Sequence, residues 1–139
     1  MKNKGLLILC LLALVGCERN SSVAIEQPEV TILLQNRGSF PLVGLYSATQ
    51  DSSSWSAQLL ALDTLDSGQA VVLPPRPARS TLWIKALYDS LGTLSTLVHH
   101  DTIDCFDSLT LWTSLTPTAR SSGSVCGSGG QNREHIINP

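Results

Sequence analysis

Apolar and polar side chains alternate with a period of two through much of this chain, which is the pattern of strands with one face buried and one face wet. Between Thr81 and Tyr88, Leu82, Ile84 and Ala86 alternate against Trp83, Lys85 and Leu87. Between Ser108 and Leu115, Leu109, Leu111, Thr113 and Leu115 alternate against Ser108, Thr110 and Trp112, and the run stops at Thr116-Pro117. Two further runs, Glu29 to Gln35 and Pro41 to Ala48, are rich in apolar and β-branched residues and flank Asn36-Arg37-Gly38-Ser39, which predicts a hairpin. Ala70 to Leu73 is a short strand between the turn cluster Asp66-Ser67-Gly68 and Pro74-Pro75. Thr93 to His99 follows Asp89-Ser90-Leu91-Gly92 and makes a second hairpin with the strand before it. In Ser54 to Leu65, Trp55, Leu59, Leu60 and Leu62 fall near helical spacing, so this stretch is the one candidate for a short helix.

Six or seven strands separated by turn signals at roughly eight-to-twelve-residue spacing predict an all-β fold, an antiparallel β-sandwich. The domain is expected over residues 29–116. From Ala119 onward Ser, Gly and Asn dominate and periodicity vanishes, so residues 117–139 read as a flexible tail held only at Cys126. The polar stretch before Pro28 reads as a tether.

The beginning of the chain has a different pattern. Lys2 and Lys4 precede an apolar run from Leu6 to Val15, which ends in Leu14-Val15-Gly16-Cys17. That order reads as a signal peptide. The run is short of the roughly 20 apolar residues that span a bilayer. The last four residues resemble the lipobox of bacterial lipoproteins, in which the cysteine thiol is acylated and a peptidase cuts before it. The resemblance implies a signal peptide over residues 1–16, lipidation of Cys17 with palmitate-type chains, and a lipidated tether over residues 17–28. Two or three chains, at about 0.8 kcal/mol per buried methylene, make a firm membrane anchor where a single chain does not. Glu18 follows the cysteine where the inner-membrane retention signal of enteric bacteria has aspartate, so the cell-envelope address is expected to be the outer membrane.

Within the domain, Asn36-Arg37-Gly38-Ser39, Leu42 to Ser47, Trp55 with Leu59-Leu60, Leu65 with Gly68, and Lys85 to Gly92 occur in an order that resembles a group of small exported bacterial β domains. Their pattern runs Asn-x-Ser/Thr-Gly, a strand ending Leu-Tyr-x-Ser, a Trp before Asp-Leu-Leu, Leu-x-x-Gly, and an Asp-x-x-Gly turn. Residues 30–113 would be covered, with Gly38-Ser39 in reversed order and Ala57-Gln58 where Gly and Asp are usual. The resemblance implies a fold and no activity. Tyr46, Trp55 and Trp83 read as core or rim packing rather than ligand platforms.

Charge and candidate chemistry narrow the function. Loss of Lys2 and Lys4 with the signal leaves seven of nine basic residues against eleven acidic ones, about −4 in 123 residues. The basic residues are scattered and none interleaves with aromatics, which argues against nucleic acid as a partner. Cys10 would leave with the signal and Cys17 would be acylated, so Cys105 and Cys126 remain as a disulfide pair in an oxidising compartment. His99-His100-Asp101, near Asp104, is the single donor cluster. Neighbours on a strand point to opposite faces, so His99 and His100 are expected to face apart, at a solvated strand end, with no metal site. No nucleophile elbow, Ser-x-x-Lys or phosphate loop occurs, and the paired carboxylates Asp63 with Asp66 and Asp104 with Asp107 lie at turns. The expectation is a non-catalytic, lipid-anchored envelope protein without cofactors that acts as an interaction or structural module, its partners the membrane through Cys17 and another envelope protein. The alternative is a periplasmic-side lipoprotein that binds a small ligand or a metal through His99, His100 and Asp101.

Overall fold

The computed structural model describes residues 26–50, 54–60, 64–127 and 133–137. The expected signal segment and lipobox, most of the expected tether, and parts of the C-terminal segment lie outside them. The described residues form eight strands: β1 Glu29–Asn36, β2 Leu42–Ala48, β3 Ala70–Pro77, β4 Thr81–Ser90, β5 Thr93–Thr102, β6 Ser108–Leu115, β7 Arg120–Cys126 and β8 Arg133–Ile137. They make a β-sandwich of a five-stranded sheet, β3-β1-β6-β7-β8, and a three-stranded sheet, β2-β4-β5.

The alternation read from the sequence is the alternation of burial. In β4 and β6 every second residue is buried, and Leu82, Ile84, Ala86 and Tyr88 face Leu109, Leu111, Thr113 and Leu115 across the interior. Val30, Ile32 and Leu34 of β1, Leu42 and Leu45 of β2, Leu73 of β3, Leu97 of β5, and Leu65, Ala78, Ile103 and Cys105 from connecting segments complete the core. The β4–β5 hairpin closes through Leu91 and Gly92, both at positive φ (57° and 87°), the backbone sign that a two-residue hairpin turn demands. Asp89 secures this turn by accepting the Gly92 amide at 2.7 Å.

The first expected hairpin does not form. β1 lies between β3 and β6, antiparallel to the first and parallel to the second, whereas β2 belongs to the other sheet. The turn residues explain the switch. Arg37 and Ser39 donate their amides to the carbonyls of Thr113 and Leu115 at the end of β6, not to a hairpin partner. Gly38 sits so close that a Cβ would lie 2.5 Å from the Leu115 nitrogen. The fully buried Asn36 amide donates to Phe40 and Leu65 carbonyls and its oxygen accepts from the Gly38 amide, so one side chain satisfies the corner as the chain crosses between sheets.

Two other expectations are corrected. Residues 54–60 are not helical: Ser56 and Leu59 donate to carbonyls of Ser47 and Leu45, and the Gln58 carboxamide bridges the Leu45 amide and the Val43 carbonyl. This segment therefore covers the outer edge of β2, which satisfies strand groups that would otherwise invite another chain. Residues 120–126 are not patternless tail but β7, paired with β6 along its length and with β8 beyond it. The opposite edge of the larger sheet is β3, whose Pro74, Pro75 and Pro77 limit further pairing.

Candidate functional site

The donor cluster picked out by sequence is split by the strand that carries it. In β5 the residues alternate so that Leu97, His99 and Asp101 are buried while Val98, His100 and Thr102 are exposed. His99 and His100 thus face apart. The cluster is not a solvated strand end, however, because β5 continues to Thr102 and β7 stands opposite its inner face. His99 Nδ1 lies 2.9 Å from the Ser122 hydroxyl, and Ser124 donates to the Asp101 carboxylate at 2.5 Å. Asp101 also accepts the Thr102 amide at 2.8 Å.

These contacts give small polar residues in β7 their purpose. Ser122 and Ser124 sit on its inward face, where an apolar pattern would ordinarily mark a strand, and both are buried. Sequence reasoning missed β7 for that reason: its inward face is polar and its partners lie on β5. Just beyond the two hydroxyls, Cys126 is joined to Cys105 by a disulfide with a Cα separation of 5.5 Å. Two hydrogen-bonded rungs and a covalent one therefore tie the end of β7 to the β5 side of the sandwich. Ser, His and Asp are all present, yet Asp101 receives Ser124 while His99 contacts Ser122, and Ser122 has no exposed surface. Among the described residues no three His, Cys, Asp or Glu side chains converge in a manner that could hold a metal.

The outward face of β2-β4-β5 carries a different chemistry. Register places Tyr46 beside Lys85 and Lys85 beside Val98, and in the next row Ala48 beside Trp83 and Trp83 beside His100. Lys85 Nζ lies over two rings, 4.8 Å from the Tyr46 centroid and 4.7 Å from that of Trp55, close enough for cation–π attraction. The rings of Trp83 and His100 stack with centroids 4.5 Å apart and planes 19° from parallel. The Trp83 indole nitrogen is buried and has no hydrogen-bond partner among the described residues. Val98 and Leu94, 38% and 66% exposed, extend the face along β5.

Tyr46, Trp55 and Trp83 are thus half-buried on an outer surface and are not core residues. The signal for this was in the sequence: Trp83 and Lys85 occupy the phase of β4 opposite Leu82, Ile84 and Ala86. Which residues from β2 and from residues 54–60 would join them was not, since that depends on pairing between distant segments. At the far end of the sandwich an open cleft of about 430 Å³ is bounded by Phe40, Leu91, Leu115 and Pro117 together with hydroxyls of Ser95 and Thr116.

No protein-family model, curated protein or solved structure matches the chain.

Proposed function

We propose that this chain is a lipid-anchored, non-catalytic protein of a bacterial cell envelope, held on the membrane by acyl groups on Cys17 and acting through its surface as an interaction or structural module. The observation that carries the reading is the order of the leader: a basic start, a short apolar run, and Leu14-Val15-Gly16-Cys17 at its end. Glu18 after the cysteine favours the outer membrane in a host that sorts lipoproteins by that position.

The domain supports this reading in two ways. Its hydroxyl, imidazole and carboxylate groups of catalytic type at His99, Asp101, Ser122 and Ser124 are spent on bonds between the sheets. The middle of the outer face of β2-β4-β5 groups aromatic, aliphatic and cationic side chains, which suits contact rather than turnover. The disulfide agrees with an oxidising compartment outside the cytoplasm.

Labelling with radioactive fatty acid tests the proposal. The wild-type chain should carry label and sediment with membranes, and Cys17→Ala should lose both properties, because without the thiol there is no acyl acceptor. Label retained by Cys17→Ala would contradict the assignment.

A further inference from the structure

The face of β2-β4-β5 has the composition of a membrane–water interface. Trp and Tyr, with an apolar ring and a polar edge, concentrate at the headgroup level of bilayers, and Lys beside them reaches lipid phosphate. Here Trp55, Trp83, Tyr46 and Lys85 share one surface with His100, Val98 and Leu94. With strands about 4.8 Å apart and alternate residues about 6.8 Å apart, those of them on β2, β4 and β5 stand in neighbouring rows of one sheet face. Lys85 has its ammonium over two rings and no carboxylate among the described residues within ion-pair distance. Asp89, whose carboxylate accepts the Gly92 amide, lies on the same face four residues further along β4, roughly 13 Å from Lys85. The array therefore presents a cation amid apolar and aromatic surface, although the chain as a whole is acidic.

The path of the chain points the same way. Pro28 accepts a hydrogen bond from the Ala78 amide, just before β4 begins, so the tether leaves the fold at the end of the sandwich where Trp83 and His100 lie. From Cys17 to Pro28 is eleven residues, a reach of at most roughly 36–40 Å when fully extended. The two sheets are separated by only about 10 Å, so a lipid on Cys17 can lie under the three-stranded sheet without strain. A surface held this close needs little intrinsic affinity, because the anchor supplies a high local concentration of lipid.

We infer that the outer face of β2-β4-β5 rests on the headgroup layer of the membrane that holds Cys17, with Tyr46, Trp55 and Trp83 at the interface and the Lys85 ammonium directed to lipid phosphate. This inference builds on the lipid-anchor reading. It gives the module an orientation: the three-stranded sheet faces the bilayer and the five-stranded sheet is presented away from it.

The chain's three tryptophans make the test internal, since Trp112 lies on the outer face of the other sheet, beneath Arg37. Full-length lipidated protein with a single Trp retained and Phe at the other two positions is reconstituted in vesicles of phosphatidylethanolamine and phosphatidylglycerol containing spin-labelled lipid. Trp55 and Trp83 should be quenched several-fold more than Trp112, and Lys85→Glu should reduce the difference. Hydroxyl-radical footprinting of the unsubstituted protein provides the same comparison without any variant: Tyr46, Trp55 and Trp83 should be shielded on vesicles relative to detergent, and Trp112 unchanged. Equal quenching of all three rings in a protein that carries fatty-acid label would overturn the orientation while leaving the anchor standing, and would leave the face for a protein or glycan partner. A chain that takes up no label would overturn the anchor, and the orientation with it.

Discussion

Tyr88 reaches from β4 across the interior to Thr113 of β6, with its hydroxyl 2.5 Å from the Thr113 hydroxyl, and it has no exposed surface. Burial pushes its pKa from the ordinary 10.0 up to about 12, an effect that the Thr113 hydrogen bond partly offsets. A folded-state pKa raised above the unfolded one contributes stability that is complete below pH 10 and is lost as the pH climbs through 12. Two units correspond to about 2–3 kcal/mol. At neutral pH Tyr88→Phe should cost about 1–2 kcal/mol, because it strands the Thr113 hydroxyl. Urea unfolding of both proteins at pH 8 and above pH 11 should show the gap narrowing or reversing at the higher pH. A constant gap would mean that Tyr88 does not carry the alkaline transition. The metal alternative is tested at the same scale. His100 is stacked on Trp83 outside the sandwich, while His99 and Asp101 are bonded to Ser122 and Ser124 within it. Calorimetric titration of the disulfide-bonded protein with zinc should therefore show no saturable binding tighter than about micromolar, or roughly 8 kcal/mol. Tight binding abolished by His99→Ala with His100→Ala would instead favour a metal-binding lipoprotein.

At the scale of elements, β7 depends on its ties more than on its own sequence. Arg120–Cys126 reads RSSGSVC, with little apolar surface to bury, yet it pairs with β6 and β8 and its inward hydroxyls meet β5. The Cys105–Cys126 bridge closes a loop of 21 residues and should contribute about 3 kcal/mol in the chain-entropy model. Replacing both cysteines by serine should lower stability by about that amount, and hydrogen exchange should show β7 and β8 amides losing protection before those of β4. Uniform loss across all strands would show that β7 is no weaker than the rest. This element also marks the limit of what the sequence reveals. Strands with an apolar inner phase, such as β4 and β6, were legible almost to their ends because the burial pattern is written in the residues themselves. The β4–β5 hairpin was legible because its turn is local. The sheet switch after β1 was not, since Asn36 and Gly38 look like hairpin residues until Leu65 and Leu115 are known to stand beside them. Residues 54–60 mimic helical spacing while their amides serve the edge of β2. Of the candidate site, the divergence of His99 and His100 followed from strand geometry. Their destinations, Ser122 within and Trp83 without, required the tertiary fold.

At the scale of the whole molecule, the proposed lipobox at Leu14-Val15-Gly16-Cys17 precedes a sandwich with one chemically distinctive face. The two sheets share the core about equally, the larger one carries β7, and the outer side of the smaller one, with Trp55 from the segment along its edge, offers Tyr46, Trp55, Trp83 and Lys85 to the surroundings. Anchoring is the central claim, since both the proposed location and the orientation of that face depend on it. The most direct measurement is the mass of the N-terminal peptide of the protein extracted from membranes and digested. The account requires a peptide that begins at Cys17 and carries a diacylglyceryl group, with or without a third acyl chain on its amine. A mature terminus at any other residue, or an unmodified Cys17 thiol, would contradict it.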